Sequence, residues 1–178
     1  APAEEPEEEQ PAAKDTITDD STTQPTVAEQ LESLEKIGSY DAAAVLWENV
    51  EPRDAGHGQR IFFTLADSQV ADGEHAAALE TIARFVALAP DHEGTTEKIV
   101  EIEVARANSL AGEQKFEEAL GHLTTSLDSH SDNEALQSAI ADLKRKERDH
   151  AVESDIVHRL EQLRGDLFSR RGISADKK

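Results

Sequence analysis

From residue 26 onward, apolar side chains recur at three- and four-residue intervals, the signature of helices with one buried face. Leu31, Leu34 and Ile37 open the pattern. Thr26 and Glu29 just before them have capping-box spacing, so a helix is predicted from Val27 to Ile37, stopped by Gly38. Ala43, Leu46, Trp47 and Val50 place a second helix over Asp41–Val50, ended by Pro52. The Pro, Asp and Gly residues of Glu51–Gly58 read as a connector, with His57 inside it. A third helix over Gln59–Ala71 carries Phe62, Leu65 and Ala66 inward, and Asp72-Gly73 turns the chain. A fourth over His75–Leu88 carries Ala78, Leu79, Ile82 and Phe85, and Pro90 marks its exit. Helices over Thr96–Ala111 and Phe116–Leu127 follow, with Gly112 expected at their turn. No segment alternates with period two, so the predicted fold class is all-α.

The second helix of each pair repeats. Gly38-Ser39-Tyr40-Asp41-Ala42-Ala43 aligns with Gly73-Glu74-His75-Ala76-Ala77-Ala78, 35 residues later. Lys115-Phe116-Glu117-Glu118-Ala119-Leu120 is a third copy, 41 residues on by the Ala78–Ala119 offset. The logic is physical: a tight turn joins two helices, a larger side chain plugs the pair, and a small alanine lets the helices approach. A bulky residue four positions on (Trp47, Ile82, Leu123) packs against the next pair. Pairs of this size bury too little alone and must stack.

On these residues the chain resembles the tetratricopeptide repeat family. The likeness rests on the Gly-x-Tyr-x-x-Ala turn, on Ala78-x-x-x-Ile82, and on Pro90 after Ala87-Leu88-Ala89, and it covers residues 26–130. The third copy departs from it, with extra residues expected at its turn and Ser131 where the family often has Pro. The resemblance implies a right-handed α-solenoid of antiparallel helix hairpins. It also implies a concave face lined by the first helix of each pair. By family alignment that face would present Arg60, Phe63, Asp67 and Val70, then Glu101, Val104, Asn108 and Ala111. The family consists mostly of scaffolds that hold peptides or partner subunits. The lysine–asparagine lattice with which some members clamp chaperone tails is absent: Val27–Ile37 has no Asn, and Lys98 and Arg106 lie eight residues apart.

Residues 131–178 are expected to cap and extend the array. Leu136, Ile140 and Leu143 form one stripe, suited to closing the last apolar face. Ile156, Leu160, Leu163 and Leu167 form a second, which either packs back or projects toward a partner or another copy. The polar run Lys144–His150 separates them, and the last residues, Arg170–Lys178, are expected to fray.

Charge sharpens this division. The chain has 178 residues and a formal net charge of −20. Residues 1–30 hold nine acids and one base, residues 31–130 nineteen acids and seven bases, and residues 131–178 ten of each. Residues 1–25, rich in Pro and Glu, cannot bury enough apolar surface to fold and are expected to form a disordered acidic tether. A body this acidic lacks the cations a nucleic-acid contact needs. Beginning at Ala1 and holding no Met, the chain is expected to be exported, periplasmic or held by a lipidated Cys before Ala1, with a cytoplasmic location as the alternative. No apolar run is long enough to span a membrane.

Catalytic chemistry has no foothold in the pattern. Cys is absent, the seven histidines form no His-Glu-x-x-His, and there is no Gly-rich phosphate loop. His75 falls at a plug position, and His122 with Ser126 reads as an exposed helical pair. The expectation is a non-enzymatic scaffold without cofactor or metal, binding protein or peptide partners through the groove and the C-terminal helix, in assembly of a cell-envelope complex. The alternatives are a structural subunit, self-associating or permanently docked through Ile156–Leu167, and a halophile-type acidic surface with no partner meaning.

Overall fold

The computed structural model describes residues 25–170, so the expected N-terminal tether (except Pro25) and the expected frayed end (except Arg170) lie outside the described residues. Within them the chain is all-helical: α1 (Val27–Lys36), α2 (Tyr40–Glu48), α3 (Ala55–Ala71), α4 (His75–Leu88), α5 (Thr95–Gly112), α6 (Phe116–Ser129) and α7 (Glu134–Arg170). Each helix packs on the one before it, and α3 also meets α5, as α5 meets α7.

Three turns set this order, and their backbones are nearly the same. Ser39 N–H bonds Leu34 O at 2.9 Å, Glu74 N–H bonds Gln69 O at 2.7 Å, and Lys115 N–H bonds Leu110 O at 2.9 Å. One residue earlier, Gly38, Gly73 and Gln114 each donate to the carbonyl three residues back, at 3.0 Å. These paired bonds are Schellman motifs, which need a left-handed residue at the centre. Gly38 (φ 73°), Gly73 (φ 81°) and Gln114 (φ 63°) supply it. The expected turn glycine of the third pair is therefore displaced: Gly112 is the last residue of α5, and Gln114 takes the left-handed position.

From each left-handed residue the same positions are buried. Ala43, Ala78 and Ala119 lie five residues on and are fully buried, and Trp47, Ile82 and Leu123 lie nine on and are buried too. Tyr40, His75 and Phe116 are half-buried plugs. The unequal offsets have a definite origin. All three turns have three residues, and the connectors 49–54 and 89–94 are both six residues long. Relative to the first interval, α4 exceeds α2 by five residues and α5 exceeds α3 by one, which accounts for the six extra. The expected extra residues at the third turn are thus helical residues elsewhere.

The third helix also starts four residues earlier than its pattern predicts. Asp54 caps it, its carboxylate accepting from Gly56 N–H (2.9 Å) and His57 N–H (3.2 Å). Gly56, His57 and Gly58, read from sequence as connector, are α3's first turn. Gly58 is needed there because the Trp47 indole lies against its backbone; a Cβ would sit 2.4 Å from the ring.

The core runs along the chain as three clusters. Leu31, Trp47, Ile61, Phe62 and Phe85 join α1–α4; Ala66, Ala78, Ile82 and Ile102 join α3–α5; Val100, Ala119, Leu123, Leu136 and Leu143 join α5–α7. Phe63 packs on the first two and couples them. Trp47 is the hub of the first, 5.6 Å from Phe62 and 5.8 Å from Phe85 between ring centroids. Its Nε1–H donates to Asp54 O at 2.9 Å.

Candidate functional site

Two surfaces follow from this architecture. The first is the row formed by α1, α3, α5 and α7, where the residues expected to line a groove fall. The structure brings them together in a particular way: most of the polar ones are bound to a neighbouring helix of the row. Arg60 on α3 donates to both carboxylate oxygens of Glu35 on α1, the shorter contact 3.0 Å. Asp67 on α3 receives the Lys98 ammonium from α5. Glu101 binds that ammonium as well, at 2.9 Å. Asn108 on α5 accepts from Lys146 Nζ on α7 at 3.2 Å. Phe63, Val70 and Val104 are half-buried and spend much of their apolar surface on the core clusters. Ala111 is buried.

Lys98 is the unusual member. Its side chain is buried, and its ammonium lies 5.7 Å from the Phe63 ring centroid. Burial pushes the ammonium down, and hydrogen bonds to Asp67 and Glu101, with the two negative charges, outweigh it, leaving the pKa above lysine's ordinary value. Glu35 is the other hub, half-buried, receiving His57 Nε2 at 2.7 Å beside Arg60. Neither Glu35 nor His57 stands out in the sequence, because their contact spans 22 residues and needs His57 to be helical. Face to face with a ligand, this row offers exposed carboxylates (Asp67, Glu101) over narrow apolar ground. A ligand would have to be cationic at several points to engage it.

The second surface is the distal half of α7. The expected two stripes lie on one unbroken helix of 37 residues; the polar run Lys144–His150 continues it. Leu136 and Leu143 are buried and Ile140 half-buried against α5 and α6, as expected of a capping stripe. Packing ends near His150, whose ring lies 5.5 Å from Phe116. Beyond it every side chain from Ala151 to Ser169 is exposed. Ile156 (52 %), Leu160 (60 %), Leu163 (59 %) and Leu167 (58 %) remain open to solvent, together with Val152, Val157 and Phe168. Of packing back and projecting, the helix projects.

The two stripes do not share a face. At about 100° per residue, the set Leu136, Ile140, Leu143, Glu147, His150 holds one direction, and Ile156, Leu160, Leu163, Leu167 lies roughly 200° round from it. The packing face of the distal half is polar over Ser154, His158 and Glu161 and carries Phe168 in its last turn.

Histidine chemistry does not assemble. Among the described residues no group of three or more His, Asp or Glu could hold a metal ion. His122 is half-buried and 4.0 Å from Glu118, and Ser126, expected to be exposed beside it, is half-buried too. Among the described residues no helix is long and apolar enough to cross a membrane. Comparison with protein-family models, with curated proteins and with solved structures gives no match.

Proposed function

We propose that this chain is a non-enzymatic protein-interaction scaffold, a helical-repeat body of tetratricopeptide type that presents α7's distal half as its principal docking element. One observation carries the reading: a four-residue apolar seam with flanking Val152 and Val157 stands in solvent on a helix whose proximal half is packed. Contiguous exposed apolar surface of this kind marks an interaction site. The three matching turns and the matching buried alanines support a stacked-hairpin solenoid as the platform. The α1–α3–α5–α7 row is the secondary surface, suited to a basic segment by Asp67 and Glu101, and cross-linked enough to act as a rigid frame.

The test is panning a displayed library of amphipathic helical peptides against the full chain. Peptides with apolar residues at three- and four-residue spacing should be enriched, and Leu160→Asp/Leu163→Asp should abolish their binding. No enrichment, or binding indifferent to that double substitution, overturns α7 as a site for partner peptides. Peptides released instead by Asp67→Lys would move the docking site to the α3–α5 row.

A further inference from the structure

We infer that the occupant of α7's exposed seam is the same seam of a second copy of this chain, running antiparallel. The inference rests on reading distal α7 as a docking surface and names what docks there.

Three observations point to a second copy. The stripe faces away from the side of α7 that packs on α5 and α6, so the chain's own body cannot cover it without bending the helix. Its spacing is its own mirror image: the steps Ile156–Leu160–Leu163–Leu167 are four, three, four in either direction. Two copies running in opposite directions therefore place Ile156 against Leu167 and Leu160 against Leu163 throughout. Electrostatics also permits contact here. Residues 151–170 carry four acids and three bases in a chain of net charge −20, so copies meet at a nearly neutral segment.

Charge then selects the direction. Leu160 and Leu167 take the a positions of a heptad, and Ile156 and Leu163 the d positions. Arg159 and Asp166 flank this seam on one side, and Val157 and Arg164 on the other. In the antiparallel pair Arg159 of each copy faces Asp166 of the other, twice by symmetry, and Val157 lies under the stem of Arg164. In a parallel pair Arg159 would face Arg164, again twice, like charge against like. Among the described residues Arg159 has one ion pair, an exposed contact with Asp155 3.1 Å long that a swing across the seam would break at little cost.

Sedimentation equilibrium of the full chain over a wide concentration range tests this. The expected mass rises from one chain to two. Leu160→Asp/Leu163→Asp should stay monomeric with an unchanged thermal midpoint, because the distal half adds nothing to the body. Arg159→Asp should weaken association about tenfold at low salt, and Arg159→Asp/Asp166→Arg should restore it. A monomer at every concentration overturns the second copy, and strengthening by Arg159→Asp overturns the antiparallel direction. If the chain is monomeric yet still captures amphipathic peptides through α7, the scaffold reading survives. If peptides fail while the dimer forms, the scaffold reading falls and the pairing stands.

Discussion

Gly58→Ala should destabilise the protein although it puts a better helix former into a helix. A Cβ at this position would lie 2.4 Å from Trp47 Cε2 and Cζ2 and 3.0 Å from Cη2. Carbon atoms pack favourably at ~3.5–4.0 Å, so the overlap is about 1 Å. The indole has nowhere to go. It is 1 % exposed, lies between Phe62 and Phe85, and is tied by Nε1–H to Asp54 O. Overpacking costs ~1–3 kcal/mol, and this contact belongs at the upper end. Replacing glycine by alanine inside a helix returns about 1 kcal/mol. The net loss is about 2 kcal/mol, a fall of ~4–8 °C in Tm at this chain length. Urea denaturation followed by far-UV circular dichroism and by the emission of Trp47, the single tryptophan, reads both the stability and the site. Gly56→Ala is the control. A Cβ there meets only Asp54 Oδ1, at 3.4 Å, so it should stabilise by about 0.5 kcal/mol. Trp47→Phe removes the overlapping atoms, so Gly58→Ala should cost about 1–2 kcal/mol less in that background. Equal cost in both backgrounds, or a gain in the native one, refutes the close approach of α3 to Trp47.

Three further outcomes follow from the same packing. Trp47→Ala and Phe85→Ala should each lose roughly 3–5 kcal/mol, since both side chains are fully enclosed in the first cluster; unchanged denaturation midpoints would remove the hub. Gln114→Gly should gain about 0.5–1 kcal/mol by relieving the left-handed strain that Gly38 and Gly73 avoid, and a loss of stability would show that the third turn differs from the first two. Thr26 donates to Glu29 from its backbone N–H (2.7 Å) and its hydroxyl (3.0 Å), holding the carboxyl below the usual glutamate value. A depressed folded pKa contributes stability at neutral pH that is lost as pH falls through that value. The protection of α1 amides relative to their intrinsic exchange rates should therefore fall in acid, and Glu29→Gln should remove this added acid sensitivity; identical acid profiles would refute the cap.

The repeat was legible because its determinants are local. The spacing from turn to alanine to bulky residue is written in consecutive residues, and Ala43, Ala78, Ala119, Trp47, Ile82 and Leu123 are all buried where that spacing puts them. The misplaced features depend on partners far along the chain. Gly56 and Gly58 both read as helix breakers, and only the Trp47 ring, arriving from α2, makes the missing Cβ of Gly58 a requirement. Gln114 does not announce a left-handed residue, whereas Gly112 two positions earlier does, so the pattern points to the wrong residue for the third turn. Among the residues expected to line a groove, the sequence names Arg60, Asp67 and Asn108 and cannot show that Glu35, Lys98 and Lys146 already hold them. The continuity of α7 was hidden for a different reason. Lys144–Arg148 looks like a linker by charge, yet lysine, arginine and glutamate are good helix formers and carry the helix through. Only once that continuity is fixed does the change of face between the two stripes become a statement about geometry.

Helix α7 has two faces, one closing the body and one, on our proposal, docking. Hydrogen–deuterium exchange of the full chain across a dilution series reads both at once. Amides of Glu134–His150 should keep the same high protection at every concentration. Those of residues 151–169 should be protected in concentrated samples and exchange progressively faster on dilution. Equal, concentration-independent protection along the whole helix would contradict the account, since the distal half would then be held by its own chain. Fast exchange of residues 151–169 at every concentration would contradict the second copy as its partner.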